Sequence, residues 1–246
     1  MPAKPVVRFR VLVLTGLALI VAIGLCPLSY GKDTMFTTKV LDFLGISATP
    51  GAQKGVEAEF SGDIWVAELD TESRFPLTEE GGYRSPVFMP GDEGILALKG
   101  DDLEFIPLSG GEPEKRATLP GVIKIVGFHR QDKDKLLVLF KDNSGTSVGI
   151  LSLKDGKVSS LPHENEDPSM LMLNHLRGWE RVYGNTTVDV KPDDKQEGKW
   201  TNVYIQRGND PSQNISKCNG TNCGQPSLSS NGNKVVYIKA QSRKPH

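Results

Sequence analysis

Asp63–Thr78 reads DIWVAELDTESRFPLT and Pro86–Leu98 reads PVFMPGDEGILAL; near the other end, Val203–Ser216 reads VYIQRGNDPSQNIS and Pro226–Ile238 reads PSLSSNGNKVVYI. Ile64 matches Val203, Thr78 matches Ser216 and Pro86 matches Pro226, at offsets of 139, 138 and 140. Few identities survive, but the order does. Each copy runs from an apolar strand through a turn to a short strand ending in Thr or Ser. A Gly-containing gap, a Pro-led strand, a turn and a second apolar strand follow.

Dividing that offset by three gives a period of about 47 residues, the blade length of a β-propeller. Weaker copies lie between the strong ones. Asp102–Leu108 (DLEFIPL) precedes the turn Ser109-Gly110-Gly111, and Val148–Leu153 (VGILSL) precedes Asp155-Gly156. The last interval is lengthened by a polar insertion, Asp189–Lys199 (DVKPDDKQEGK). Val122–Phe128 and Lys135–Phe140 form a hairpin pattern across Arg130-Gln131-Asp132, and Leu176–Tyr183 and Thr186–Val190 form another across Gly184-Asn185. No long amphipathic segment of helical period is present, so the expectation is a nearly all-β fold.

Asp63–Leu98 resembles the TolB-type propeller repeat, whose pattern is an I-Y/W-V strand, R-L-T, P-x-W-S-P-D-G and I-A-F. The chain keeps Ile64-Trp65-Val66, Leu77-Thr78, Pro86, Phe88 and Pro90; Met89 replaces Ser, and Gly91-Asp92 reverses the usual Asp-Gly. The last copy keeps Pro226, Ser229 and Gly232, with Ser230 for Pro and Asn231 for Asp. The resemblance covers about 62–240 and implies that the Pro-led strand is innermost and the R-L-T strand outermost in a blade. The chain then begins with two outer strands (62–78) and ends with two inner ones (225–239), around three complete blades at about 85–119, 122–161 and 175–217. An all-β propeller of about four blades follows, closed by N-terminal outer strands pairing with C-terminal inner strands. That interlock would cover edges prone to aggregation. An open arc, or a larger ring completed by two chains, is the alternative.

The first residues follow a different logic. Lys4, Arg8 and Arg10 precede the uncharged run Val11–Leu25, then Pro27 and Ser29-Tyr30-Gly31, the layout of a secretory signal peptide. The expected domains are a signal peptide over 1–31, a lead-in over 32–61, the propeller over 62–240 and a tail over 241–246. An uncleaved anchor is the alternative for 1–31. Cys26 follows Leu25, where a lipoprotein signal wants a small residue. The protein is expected to be periplasmic or secreted, or anchored and facing the periplasm.

Of 246 residues, 29 are basic and 30 acidic, so no excess of positive charge points to nucleic acid. Removing 1–31 leaves Cys218 and Cys223, an even pair that reads as a disulfide in an exported protein; two unpaired thiols are the alternative. Four zinc ligands do not gather in the sequence. Asp189, Asp193, Asp194 and Glu197 lack calcium-loop spacing and read as a solvated hairpin tip. Asn185, Asn214 and Asn219 begin glycosylation sequons, which matter only in a eukaryotic secretory route. No nucleophile elbow or phosphate-binding glycine motif is found.

The chain therefore reads as non-catalytic and without a cofactor, a module for binding a protein or cell-envelope component. A ligand-binding or enzymatic propeller with its site at the channel mouth is the alternative. Segments leading into inner strands line that mouth, and they supply Tyr83, Arg84, Lys124, His175, Arg177, Trp179 and Gln225 as the partner-binding set. Tyr, Trp and Arg dominate interface energetics; the bland reading is that the aromatics pack between blades and His175 is structural.

Overall fold

A computed structural model describes residues 60–142, 145–161, 181–193 and 200–240, all within the unit Met35–His246. The described residues contain sixteen strands and no helix. The described residues open with β1 (Gly62–Glu68) and β2 (Arg74–Pro76). Next come β3 (Tyr83–Phe88), β4 (Gly94–Lys99), β5 (Asp102–Pro107) and β6 (Glu114–Thr118), then β7 (Val122–Phe128), β8 (Lys135–Asp142), β9 (Gly145–Ser152) and β10 (Val158–Ser160). A third run holds β11 (Val182–Tyr183), β12 (Thr186–Pro192), β13 (Thr201–Arg207) and β14 (Gln213–Asn214), before β15 (Cys223–Leu228) and β16 (Lys234–Ala240).

Each run from β3, β7 and β11 is an antiparallel meander in which sequential strands pair. The ends of the chain combine differently. β1 pairs with β16 over seven residue pairs, from Gly62↔Ala240 to Glu68↔Lys234, with β2 on its other side. Gly62 also meets Tyr83, which joins this composite sheet to β3 at a single position. A Cβ at Gly62 would collide with the Lys239 carbonyl, so the absence of a side chain permits this close approach.

Burial falls from first to last strand in the run from β3, whereas in the run from β11 the first strand is exposed and β12 and β13 carry the buried residues. All six residues of β3 are buried, whereas β6, with sequence EKRAT, is almost wholly exposed. A charged edge resists pairing with other chains. The core divides between the sheets. One cluster joins β1, β15 and β16 to the third run through Ala67, Val203, Ile205, Leu228 and Tyr237. Another joins β1 and β16 to the first run through Ile64, Phe88, Ile95 and Val236, and a third packs Leu98 and Val122 with Phe128 and Leu136. Fully burying one such side chain stabilises by about 1.5–3 kcal/mol.

The repeat has a hydrogen-bonding cause. Thr78 Oγ1 accepts from Ile64 N–H at 2.9 Å, and Ser216 Oγ accepts from Val203 N–H at 2.9 Å. Leu77 and Ile215 N–H donate to the carbonyls of Ile64 and Val203, at 2.7 and 3.0 Å. The hydroxyl two residues beyond β2 and beyond β14 thus satisfies a strand donor that the short partner strand cannot reach. The inner hairpins also match. Met89 N–H donates to Gly94 O and Ser229 N–H to Lys234 O, both at 2.9 Å. Asp92 occupies the Gly232 position at φ 58, a conformation Asp tolerates, and its carboxylate accepts from Ser230 N–H at 2.7 Å. The Gly-Asp reversal therefore creates a bridge between two turns.

Candidate functional site

The segments entering β3 and β15 share an irregularity. Ser85 and Gln225 each precede a proline and have φ of 52 and 50. Left-handed backbone is rare for residues other than glycine and is disfavoured further before proline. At both places the strand pairing jumps, from Arg84↔Leu98 to Val87↔Leu96 and from Gly224↔Ile238 to Ser227↔Val236. The bulges leave Ser85 N–H out of the ladder, and Gln225 Oε1 accepts from it at 2.6 Å. Gln225 Nε2 donates to Phe60 O at 3.1 Å, so one amide side chain ties the start of β3 to residue 60.

Arg84 supplies the second tie. Only 5% exposed, it donates from Nη1 to Gly100 O at 2.6 Å, from Nη2 to Val122 O at 3.0 Å and from Nε to Ile123 O at 3.3 Å. A guanidinium can serve several carbonyls at once because its donors are fixed in a planar fork. The start of β7 is thereby held against β3. Lys124 follows at a bulge between Val122 and Lys124 and is half-buried.

Tyr83 is buried, and its hydroxyl donates to Glu104 Oε2 at 2.9 Å. Burial, reinforced by that carboxylate, pushes its phenol up to about 12. Lys99 Nζ lies 4.9 Å from the ring centroid and reaches Glu80 at 2.6 Å. The Glu80 carboxylate is lowered from its ordinary range, chiefly by the Lys99 hydrogen bond.

Of the residues expected at the mouth, Tyr83 and Arg84 begin β3, Lys124 lies in β7 and Gln225 in β15; Arg84 reaches the Val122 and Ile123 carbonyls and Gln225 reaches Ser85 N–H. His175, Arg177 and Trp179 lie outside the described residues. The expected disulfide is present: Cys218 and Cys223 are joined, both are buried, and their Cα atoms are 6.1 Å apart. Such a bond fits an oxidising compartment. Asp193 departs from the solvated reading of its segment. It is buried, and its N–H donates to Trp200 O at 2.7 Å, so the insertion is closed at its base; 194–199 lie outside the described residues.

Among the described residues, no three His, Cys, Asp or Glu side chains gather as a metal-binding group, and no helix is long and apolar enough to cross a membrane. The run Val11–Leu25 lies outside the described residues. Sequence reasoning missed the inward role of Arg84 and the Gln225 clamp. A signal for the first is an arginine inside the otherwise apolar run that leads to Val87-Phe88. No sequence signal predicts which backbone donor Gln225 satisfies.

No protein-family model matches the chain, and no curated protein does. Among solved structures it is similar to a TolB from Agrobacterium tumefaciens, at TM-score 0.36 and 16% identity over 70% of this chain and 59% of that one. It is similar also to TolB from Acinetobacter baumannii, at TM-score 0.32 and 15% identity over 78% of this chain and 50% of that one. A third likeness is the acylaminoacyl peptidase of Pyrococcus horikoshii, at TM-score 0.29 and 12% identity over 74% of this chain and 34% of that one. The chain thus spans between half and three-fifths of the two TolB structures. Scores at this level transfer no site, partner or activity.

Proposed function

We propose that the chain is an exported, non-catalytic β-propeller of four blades that binds a protein or cell-envelope partner. In this reading the β1–β16 pairing closes the ring, and the mouth where β3, β7 and β15 begin receives the partner. The observation that carries it is the double clamp: Gln225 on Ser85 N–H, and Arg84 on the carbonyls of Val122 and Ile123. Backbone held in costly conformations by side chains of neighbouring strands is characteristic of preorganised sites. Tyr83, Arg84 and Gln225 form the frame; Lys124, with His175, Arg177 and Trp179, contacts the partner. The disulfide favours a periplasmic or secreted location.

A photo-crosslinking residue at position 124 of the exported protein in intact cells tests this. A discrete protein adduct is expected there, absent when the same residue replaces the exposed Lys157 just before β10 and weakened by Arg177→Ala. Equal labelling at 124 and 157, or no adduct at 124, would sink the reading.

A further inference from the structure

The sequence places asparagine directly before glycine twice, at Asn219-Gly220 and Asn231-Gly232. Asparagine is a thermolabile residue, and a glycine after it leaves the next backbone nitrogen unscreened by a side chain. The fold treats the two pairs differently. At Asn231-Gly232 the reacting groups are occupied. Asn231 Oδ1 accepts from Ser229 Oγ at 2.8 Å and from Asn233 N–H at 3.0 Å, and Gly232 N–H donates to Ser229 O at 3.0 Å. The Tyr183 ring also packs where a Cβ on Gly232 would stand.

Asn219-Gly220 is the tip of the loop closed by the Cys218–Cys223 disulfide, and both residues are exposed. The base of that loop is fixed. Cys218 N–H donates to Asn202 Oδ1 at 2.7 Å, Thr221 Oγ1 donates to Ala240 O at 2.6 Å, and Asn222 Oδ1 accepts from Thr201 N–H at 2.9 Å. The tip is not fixed in this way. Among the described residues, neither the Asn219 side chain nor Gly220 N–H has a hydrogen-bond partner. Apart from chain neighbours, no heavy atom lies within 4 Å of where a Cβ on Gly220 would stand.

We infer that Asn219 is a site of spontaneous, water-dependent modification in the folded protein, converting to isoaspartate and aspartate while Asn231 is protected. The Gly220 nitrogen loses its proton and bonds to Asn219 Cγ. The Cγ–Nδ2 bond breaks, and Nδ2 leaves as ammonia. Water then opens the cyclic imide. Opening at the main-chain carbonyl gives isoaspartate, and opening at Cγ gives aspartate. The sum is amide plus water giving carboxylate plus ammonium, with nothing oxidised or reduced. Either product places a negative charge beside the exposed Lys217, in the loop that leads into β15, and isoaspartate also lengthens the backbone inside the disulfide-closed loop. The inference stands independently of the mouth.

The test ages the purified exported protein, disulfide intact, in mildly alkaline buffer made with oxygen-18 water. Peptide mapping by mass spectrometry then follows positions 219 and 231 in the same sample. Position 219 should convert at least about tenfold faster than 231, because the Asn231-Gly232 hydrogen bonds must break before its ring can close. Both isoaspartate and aspartate should appear, each carrying heavy oxygen from the water. In a reduced, urea-unfolded sample the two positions should convert at similar rates. Gly220→Ala should slow position 219 at least about tenfold by screening its nitrogen, and leave 231 unchanged. Position 231 keeping pace in the folded protein would overturn the proposal. So would an intact Asn219 over a period in which the unfolded chain converts, or aspartate formed without isoaspartate. A preference for 219 that persists undiminished in the unfolded chain would overturn it as well, since the fold would then have no part in the choice.

Discussion

At the scale of single residues, two buried polar side chains have opposite consequences. Arg84 satisfies three carbonyls, so Arg84→Ala leaves those acceptors in a dry contact between β3 and β7. We expect a loss of roughly 3 kcal/mol, read as a lower urea midpoint, with Arg84→Lys recovering only part of it. The Tyr237 hydroxyl is fully buried with no hydrogen-bond partner among the described residues. Tyr237→Phe should therefore leave stability at pH 8 unchanged or raise it by up to about 1 kcal/mol. Burial also pushes the Tyr237 phenol up to about 12, against a slight lowering by Arg74. The folded chain then holds this proton, and that of Tyr83, where the unfolded chain has released them. The contribution of these two phenols should be constant below pH 10 and fall from 10 to 12. Tyr237→Phe removes its share of that fall, of order 2 kcal/mol, and urea midpoints at pH 8 and pH 11 measure it.

At the scale of elements, the hydroxyl two residues beyond β2 and β14 is the testable unit. Thr78→Val and Ser216→Ala each remove the acceptor of one buried strand N–H. Each should cost about 1–3 kcal/mol in urea denaturation, and the two losses should agree within about 1 kcal/mol if the repeats are physically equivalent. The Thr or Ser position was legible in the sequence because both copies place it 13–14 residues after the paired strand residue. The alternation of buried inner strands and charged outer strands was legible too, since VFMPGDEGILAL and EKRAT differ in composition. The bulges at Ser85 and Gln225 were not. Their left-handed backbone precedes proline, a position where local preference argues for extended chain, and long-range hydrogen bonds override it. For the same reason Arg84 read as an interface residue. Its acceptors belong to Gly100, Val122 and Ile123, and only the tertiary structure brings them to it.

At the scale of the whole molecule, the fold depends on pairing β1 with β16, the first and last of the described strands. Gly62→Ala places a methyl against the Lys239 carbonyl at one end of that seam. We expect it to lower the thermal midpoint and to release an exposed β16 edge, detected as concentration-dependent association in light scattering. A control with Gly91→Ala, where no atom crowds the added methyl but φ is 99, should lower the midpoint without association. The register of the seam has a mechanical meaning as well. Gly62 sits opposite Ala240, so the N-terminal end of β1 and the C-terminal end of β16 lie side by side. Tension applied at those two points would not shear seven residue pairs together. It would open the seam as a zipper, first at Gly62–Ala240 and last at Glu68–Lys234, where the 2.7 Å ion pair is the final catch.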